Sequence, residues 1–147
     1  MTSVTLAQAS TLIDAALAKG RAEKFAPLTV VVLDAGGHMV GLKREDHSGI
    51  IRVEIATGKA YGALGMGIGS RALFERAKTA PSFVAAASAA SGGRLVPVPG
   101  GVLIIGQAGE KAGHVIGAVG ISGDNSDNDE ICAFAGIEAA GLIAQIA

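Results

Sequence analysis

Apolar residues recur at helical spacing near the start of the chain: Ala9, Leu12, Ile13, Ala16 and Leu17 share one face. Thr5 and Gln8 stand before them at capping-box spacing, where each side chain covers a backbone N–H that the first helical turn leaves unpaired. A helix is expected here, weakened at Gly20 and ended by Pro27. The next run, Leu28-Thr29-Val30-Val31-Val32-Leu33, is largely β-branched and apolar on both faces, which predicts a central strand. Asp34-Ala35-Gly36-Gly37 has turn chemistry, and residues 38–42 follow as the hairpin partner.

After the charged exit Lys43-Arg44-Glu45-Asp46, Asp46 or Ser48 is expected to cap a second helix over residues 49–64, with Val53, Ala56, Ala60 and Leu64 on one face. Gly62, Gly65, Gly67 and Gly69 break it. Ser70 is placed to cap a short helix through residue 77, and Pro81 suits the first position of another that Gly92-Gly93 stops. Residues 95–99 carry Pro97 and Pro99, so they fit an edge strand or a turn. Residues 102–105 and 114–122 read as strands, and residues 130–143 as a final helix with Gly136, Ala140 and Ala144 as a small-residue stripe. The order is α-β-β-α-α-β-β-β-α. Consecutive strands joined by short turns imply antiparallel pairing in an α+β fold, and residues 1–147 form one domain without a linker or a repeat.

Composition narrows the function class. Twelve basic and 13 acidic residues nearly cancel, against the basic patch of a nucleic-acid module. Aromatics are scarce and tryptophan is absent, against stacking platforms for single strands. Cys132 is the single cysteine, which excludes an internal disulfide. The first five residues show no basic or apolar leader, and no run approaches the roughly 18 apolar residues of a membrane span, so a cytoplasmic protein is expected.

Several motifs carry chemistry on paper and a plainer reading beside it. Residues 65–70 alternate glycine but follow a predicted helix and lack the Walker lysine, so a flexible helix end is the simpler account. The acidic stretch 124–130 fails the calcium-loop pattern and reads as carboxylates complementing a helix dipole. No two of His38, His47 and His114 have zinc-protease spacing. His47 stands out because it sits beside Arg44, Glu45 and Asp46 at a strand-to-helix corner, where a carboxylate can fix the imidazole tautomer. Lys59, flanked by small residues, is placed to meet an anionic group in a crevice. Gly117 and Gly120 lie inside a strand, where glycine marks the close approach of another backbone or of a ligand.

Taken together, residues 28–34 with Gly36-Gly37, Arg44-Glu45-Asp46, residues 56–60 carrying Lys59, Pro97 with Gly100-Gly101, residues 116–123 and Asp129-Glu130 resemble the GlcG/HbpS-like haem-binding family, which includes the C-terminal domain of PduO-type proteins. The resemblance runs over about residues 4–142. It implies a profilin-like five-stranded antiparallel sheet with helices packed on it, self-association into a homo-oligomer, and haem as a ligand of some members. Arg44 and Asp46 match the family's Arg-x-Asp corner, Lys59 its helix lysine, and Gly117, Gly120, Ser122 and Gly123 its glycine-rich strand. The first helix contains no histidine, so an iron ligand from that helix is unavailable, and His47 is the substitute the residues offer.

The expected function is therefore binding of a small molecule, with haem as candidate cofactor. Arg44, Asp46, His47 and Lys59 would form a polar corner beside a β surface paved by Gly117 and Gly120. Two rival readings stand beside it: an enzyme of small-molecule catabolism using Asp46, His47 or Lys59 as acid or base, and a purely structural assembly subunit. No nucleic-acid or membrane partner is expected.

Overall fold

The computed structural model describes residues 3–147; the first two positions, on which the reading of a missing leader partly rests, lie outside the described residues. Helix α1 (Leu6–Ala22) starts at the expected capping box: the Gln8 N–H donates to Thr5 Oγ1 at 3.1 Å and the Thr5 N–H to Gln8 Oε1 at 3.0 Å. Strand β1 (Thr29–Asp34) and strand β2 (Met39–Arg44) form the expected hairpin. Its turn is held by Asp34 Oδ1, which accepts the N–H groups of Gly36 and His38, and by Gly37 at φ +83°.

Helix α2 (Arg52–Met66) begins later than expected and without a side-chain cap, because Ser48 is turned inward onto the Thr29 hydroxyl at 2.8 Å. It ends at Gly67 in the left-handed conformation, which glycine adopts without steric cost. Helix α3 (Ser70–Thr79) and helix α4 (Pro81–Ala90, with proline in its first turn) follow. Strand β3 (Gly101–Ile105), strand β4 (Val115–Ser122), helix α5 (Ser126–Ala139) and strand β5 (Ile143–Gln145) complete the chain.

The sheet has five strands in the order β2-β1-β4-β3-β5, and all pairings are antiparallel. This is the α+β architecture expected, but its fifth strand is not residues 95–99. Pro97 and Pro99 remove every second N–H donor there, and the segment crosses α2 instead, with the Val96 N–H on the Gly58 carbonyl. The fifth strand begins at residue 143, where the expected final helix was to end. Helix α5 starts four residues early, capped by Asn125, and stops before Gly141 (φ +72°), after which residues 143–145 pair with β3.

Alternation along the strands divides the core. Val30, Val32, Val102, Ile104, Val119 and Ile121 face α1 and α5, where Leu12 and Ile137 meet them. Val31, Leu33, Leu103 and Ala118 face Ala56, Ala60 and Ala63 of α2. A smaller cluster of Leu73, Val84 and Leu95 joins α3 and α4 to α2's flank. Among the described residues no helix is long and apolar enough to cross a membrane.

Helix α2 lies unusually close to the sheet. A Cβ on Gly120 would overlap the Ala56 carbonyl, and one on Gly101, its partner across β3 and β4, would overlap the Lys59 carbonyl. Gly65, near the other end of α2, has nothing within 4 Å of an added Cβ. Gly120→Ala is therefore expected to destabilise the protein by about 3 kcal/mol or more through overpacking. Gly65→Ala should be neutral or stabilising by up to about 1 kcal/mol, because alanine favours the helix. Urea denaturation of the two variants checks the contrast.

Candidate ligand-binding site

The end of β2 turns back over the end of α1 and makes a corner. Glu45 is the hub. Its Oε1 accepts the Leu28 N–H at 2.7 Å, its own N–H donates to the Leu28 carbonyl, and its Oε2 pairs with Arg21 Nε at 3.0 Å. Arg21 also donates to the carbonyls of Phe25 and Ala26 at 2.8 and 2.9 Å, which fixes the chain entering β1. Asp124 reinforces that wall by accepting the Ala26 N–H at 2.7 Å; this bond, with those from Asn128 and Asn125, holds its carboxyl below the usual carboxylate range. Arg44 donates to the Ser48 carbonyl at 2.8 Å. Between these groups lies a cavity of about 500 Å³, lined by Arg21, Pro27, Arg44, Glu45, Asp46 and His47.

His47 is exposed and holds φ +71°, a left-handed conformation uncommon for a residue with a Cβ. Such geometry persists only where surrounding bonds impose it, and it turns the chain sharply between the Glu45 and Ser48 anchors. The corner thus presents two guanidinium groups, one imidazole and the Asp46 carboxylate to solvent, with the Glu45 carboxylate engaged beneath them. That set suits an anionic ligand with a metal or an acidic hydrogen.

Arg44, Asp46 and His47 come together as expected. Lys59, Gly117 and Gly120 do not join them, and the combined surface expected from the sequence is corrected on three counts. Gly120 is covered by the α2 backbone. Gly117 and Gly120 are three positions apart on one strand, so they face opposite sides of the sheet, and Gly117 packs under Val4 and beside the Leu33 carbonyl. Lys59 is only 2% exposed. Its Nζ donates to the Ile121 carbonyl at 2.8 Å and pairs with Asp129 Oδ2 at 3.2 Å. Burial lowers the Lys59 pKa and raises that of Asp129, and the attraction between the two opposes both shifts. Lys59 does meet an anion, as its setting suggested, but the anion belongs to α5. It is placed neither to hold a ligand carboxylate nor to exchange protons with a substrate.

The acidic stretch is likewise engaged internally. Asp129 Oδ1 accepts the Asp124 N–H, and Arg71 binds Glu130 and Asp127. Among the described residues no cluster of three or more His, Cys, Asp or Glu side chains could hold a metal ion. Cys132 is buried, and burial pushes its thiol up to about 11, which makes it a core residue rather than a nucleophile. Arg21 and Pro27 are lining residues that the sequence reading missed. The hairpin register, which sets Thr29 opposite Arg44, is the signal that brings them to the corner.

A family model described as "Haem degrading protein HbpS-like" matches residues 4–138. The chain belongs to the HbpS-like family. Among solved structures it is similar to a Klebsiella pneumoniae protein, ORFY of the DUF336 family, with 23% identity, 96% of this chain and 92% of that one covered, and a TM-score of 0.83. It is also similar to a PduOC:heme complex, with 22% identity, 97% and 99% covered, and a TM-score of 0.80. A double mutant of Streptomyces reticuli HbpS gives 23% identity, 94% and 87% covered, and a TM-score of 0.77. At these identities the structural likenesses establish the fold. A search of curated protein sequences finds no significant match.

The buried pair makes a direct prediction. Lys59→Met leaves the Asp129 carboxylate buried without its partner and should cost about 3–5 kcal/mol. Adding Asp129→Asn removes the charge while keeping an acceptor for the Asp124 N–H, and should restore much of that loss. Chemical denaturation of the two variants reads the difference. A Lys59→Met protein within about 1 kcal/mol of wild type would reject the pair as a structural tie, since that is no more than a surface pair contributes.

Proposed function

We propose that this protein binds haem, or a closely similar planar molecule bearing carboxylates and a metal, at the Arg44–His47 corner. The observation that carries this reading is the convergence of Arg21, Arg44 and His47 on one cavity, with His47 held in a left-handed turn. Family membership and the likeness to the haem complex of PduOC support it. The donor set fits the group: an imidazole is a common axial ligand of haem iron, and guanidinium groups pair in bidentate fashion with carboxylates such as the propionates. Arg44 is the better placed cation, because its known bond is to a carbonyl while Arg21 already holds Glu45. Asp46 lines the same cavity next to the imidazole in sequence.

The cavity is open on one side, and its apolar lining comes from Pro27 and the stems of charged residues. Ile50 and Ile51, 86% and 61% exposed, follow His47 within four positions. We infer that a second copy of the chain closes the site over this apolar surface, so that the working form is a homo-oligomer. Haem is then held at a junction between copies rather than inside one of them.

Titration of the purified protein with haemin tests the reading. The expected result is a saturable Soret shift at micromolar haemin. His47→Gly should abolish the ligated spectrum while relaxing the left-handed turn by about 1 kcal/mol, so that unfolding cannot account for the loss. Arg44→Gln should weaken binding about tenfold, the scale of one charge-assisted hydrogen bond. No Soret shift in the wild type, or an unchanged one in His47→Gly, rejects the proposal.

A further inference from the structure

A second cavity lies far along α2 from the close contact with the sheet, and nothing in the corner site uses it. Gly58, Gly62 and Gly65 recur at spacings of four and three residues, so they share a face of α2. Residues 95 and 96 lie across the first two: a Cβ on Gly58 would strike the Val96 side chain, and one on Gly62 would touch Leu95. The covering segment does not reach Gly65. There the face opens into a groove of about 280 Å³ between α2 and α4, walled by Tyr61, Met66, Ala87, Ala90 and Leu95. A smaller hollow on the other side of Tyr61, lined by Gly36, Gly37 and Leu64, shares Tyr61 and Gly65 with it.

The groove is almost wholly apolar but carries one cation at its rim. The Arg94 guanidinium stands 4.2 Å above the centre of the Tyr61 ring, and its Nε donates to the Ser91 carbonyl at 2.8 Å. Among the described residues no carboxylate pairs with it, as is also true of Arg44, Arg52 and Arg76, but of these four Arg94 is the one that stands over a residue lining the groove. A fixed guanidinium with an unused edge beside an apolar slot is complementary to a molecule with an apolar body and a single carboxylate. The volume, just below the roughly 300–1,000 Å³ of ligand pockets, limits that body to a few carbons or one ring.

We propose that this groove binds a small apolar monocarboxylate, with Arg94 holding the carboxylate and the body lying along Gly65 between Tyr61 and Met66. The site is independent of the haem reading and shares no residue with the corner.

Tyr61 is the chain's one tyrosine and tryptophan is absent, so tyrosine fluorescence reports on this groove and on the smaller hollow that shares Tyr61 with it. Titration with hexanoate, which is transparent at the wavelengths used, should give a saturable change in Tyr61 emission. The uncharged hexanamide should bind about tenfold more weakly, and Arg94→Gln should raise the hexanoate midpoint by a similar factor. Gly65→Leu, where an added Cβ meets no neighbour and the rest of the side chain extends into the groove, should fold normally and abolish the response. His47→Gly should leave it intact, which separates this outcome from any failure of haem binding. The proposal is overturned by the absence of a saturable change, by equal binding of hexanamide, by an unaffected Gly65→Leu protein, or by a Tyr61 signal that follows protein concentration because a second copy fills the groove.

Discussion

The structure depends on how closely the backbone of α2 approaches the paired glycines of β3 and β4. Gly101 and Gly120 face each other across the two strands, and the carbonyls of Lys59 and Ala56 occupy the volume that their side chains would take. Small residues on the helix, Ala56, Ala60 and Ala63, complete the contact. At this distance Lys59 has no room to turn outward. Its stem runs past Gly100 to the end of β4, where the ammonium meets the Ile121 carbonyl and the Asp129 carboxylate. One steric arrangement thus seals a face of the sheet and ties α2 to the start of α5 by a buried charge pair.

That seal decides where a ligand can go. With the glycine floor taken by the protein's own helix, open space remains at the rims. One rim is the corner at the end of β2, lined by charges of both signs, with an imidazole held in a strained turn. The other is the exposed stretch of the glycine face of α2, apolar and bearing a single cation. The two differ in chemistry because they are built from different material: an anchored loop of charged residues in one case, and a helix stripped of side chains in the other.

What the sequence revealed follows the range of the forces involved. The capping box of α1, the turn of the first hairpin and the strands at β1, β3 and β4 rest on neighbours a few residues apart, and all are found where the pattern puts them. The cap of α2 was misplaced because Ser48 bonds to Thr29, a partner that only the folded hairpin supplies. The choice of residues 143–145 over 95–99 as the fifth strand turned on which segment had N–H groups to give β3 and on Gly141 ending α5, while the proline pattern alone left both a turn and an edge strand open. The corner of Arg44, Asp46 and His47 was legible because it is contiguous. The opposite facing of Gly117 and Gly120 was also legible, from strand alternation, and was missed. The burial of Lys59 was not, since its partner lies 70 positions away.

The central claim is that ligand binding occurs at the rim and that the glycine strand is closed. Amide NMR spectra of the nitrogen-15-labelled protein with substoichiometric haemin test it most directly, because ferric iron broadens the signals of nearby amides. The account predicts broadening of the amides of Arg21 and of residues 44–47, with Gly117 and Gly120 left sharp. Broadening centred on Gly117, Gly120 and Lys59, with the corner unaffected, would contradict it.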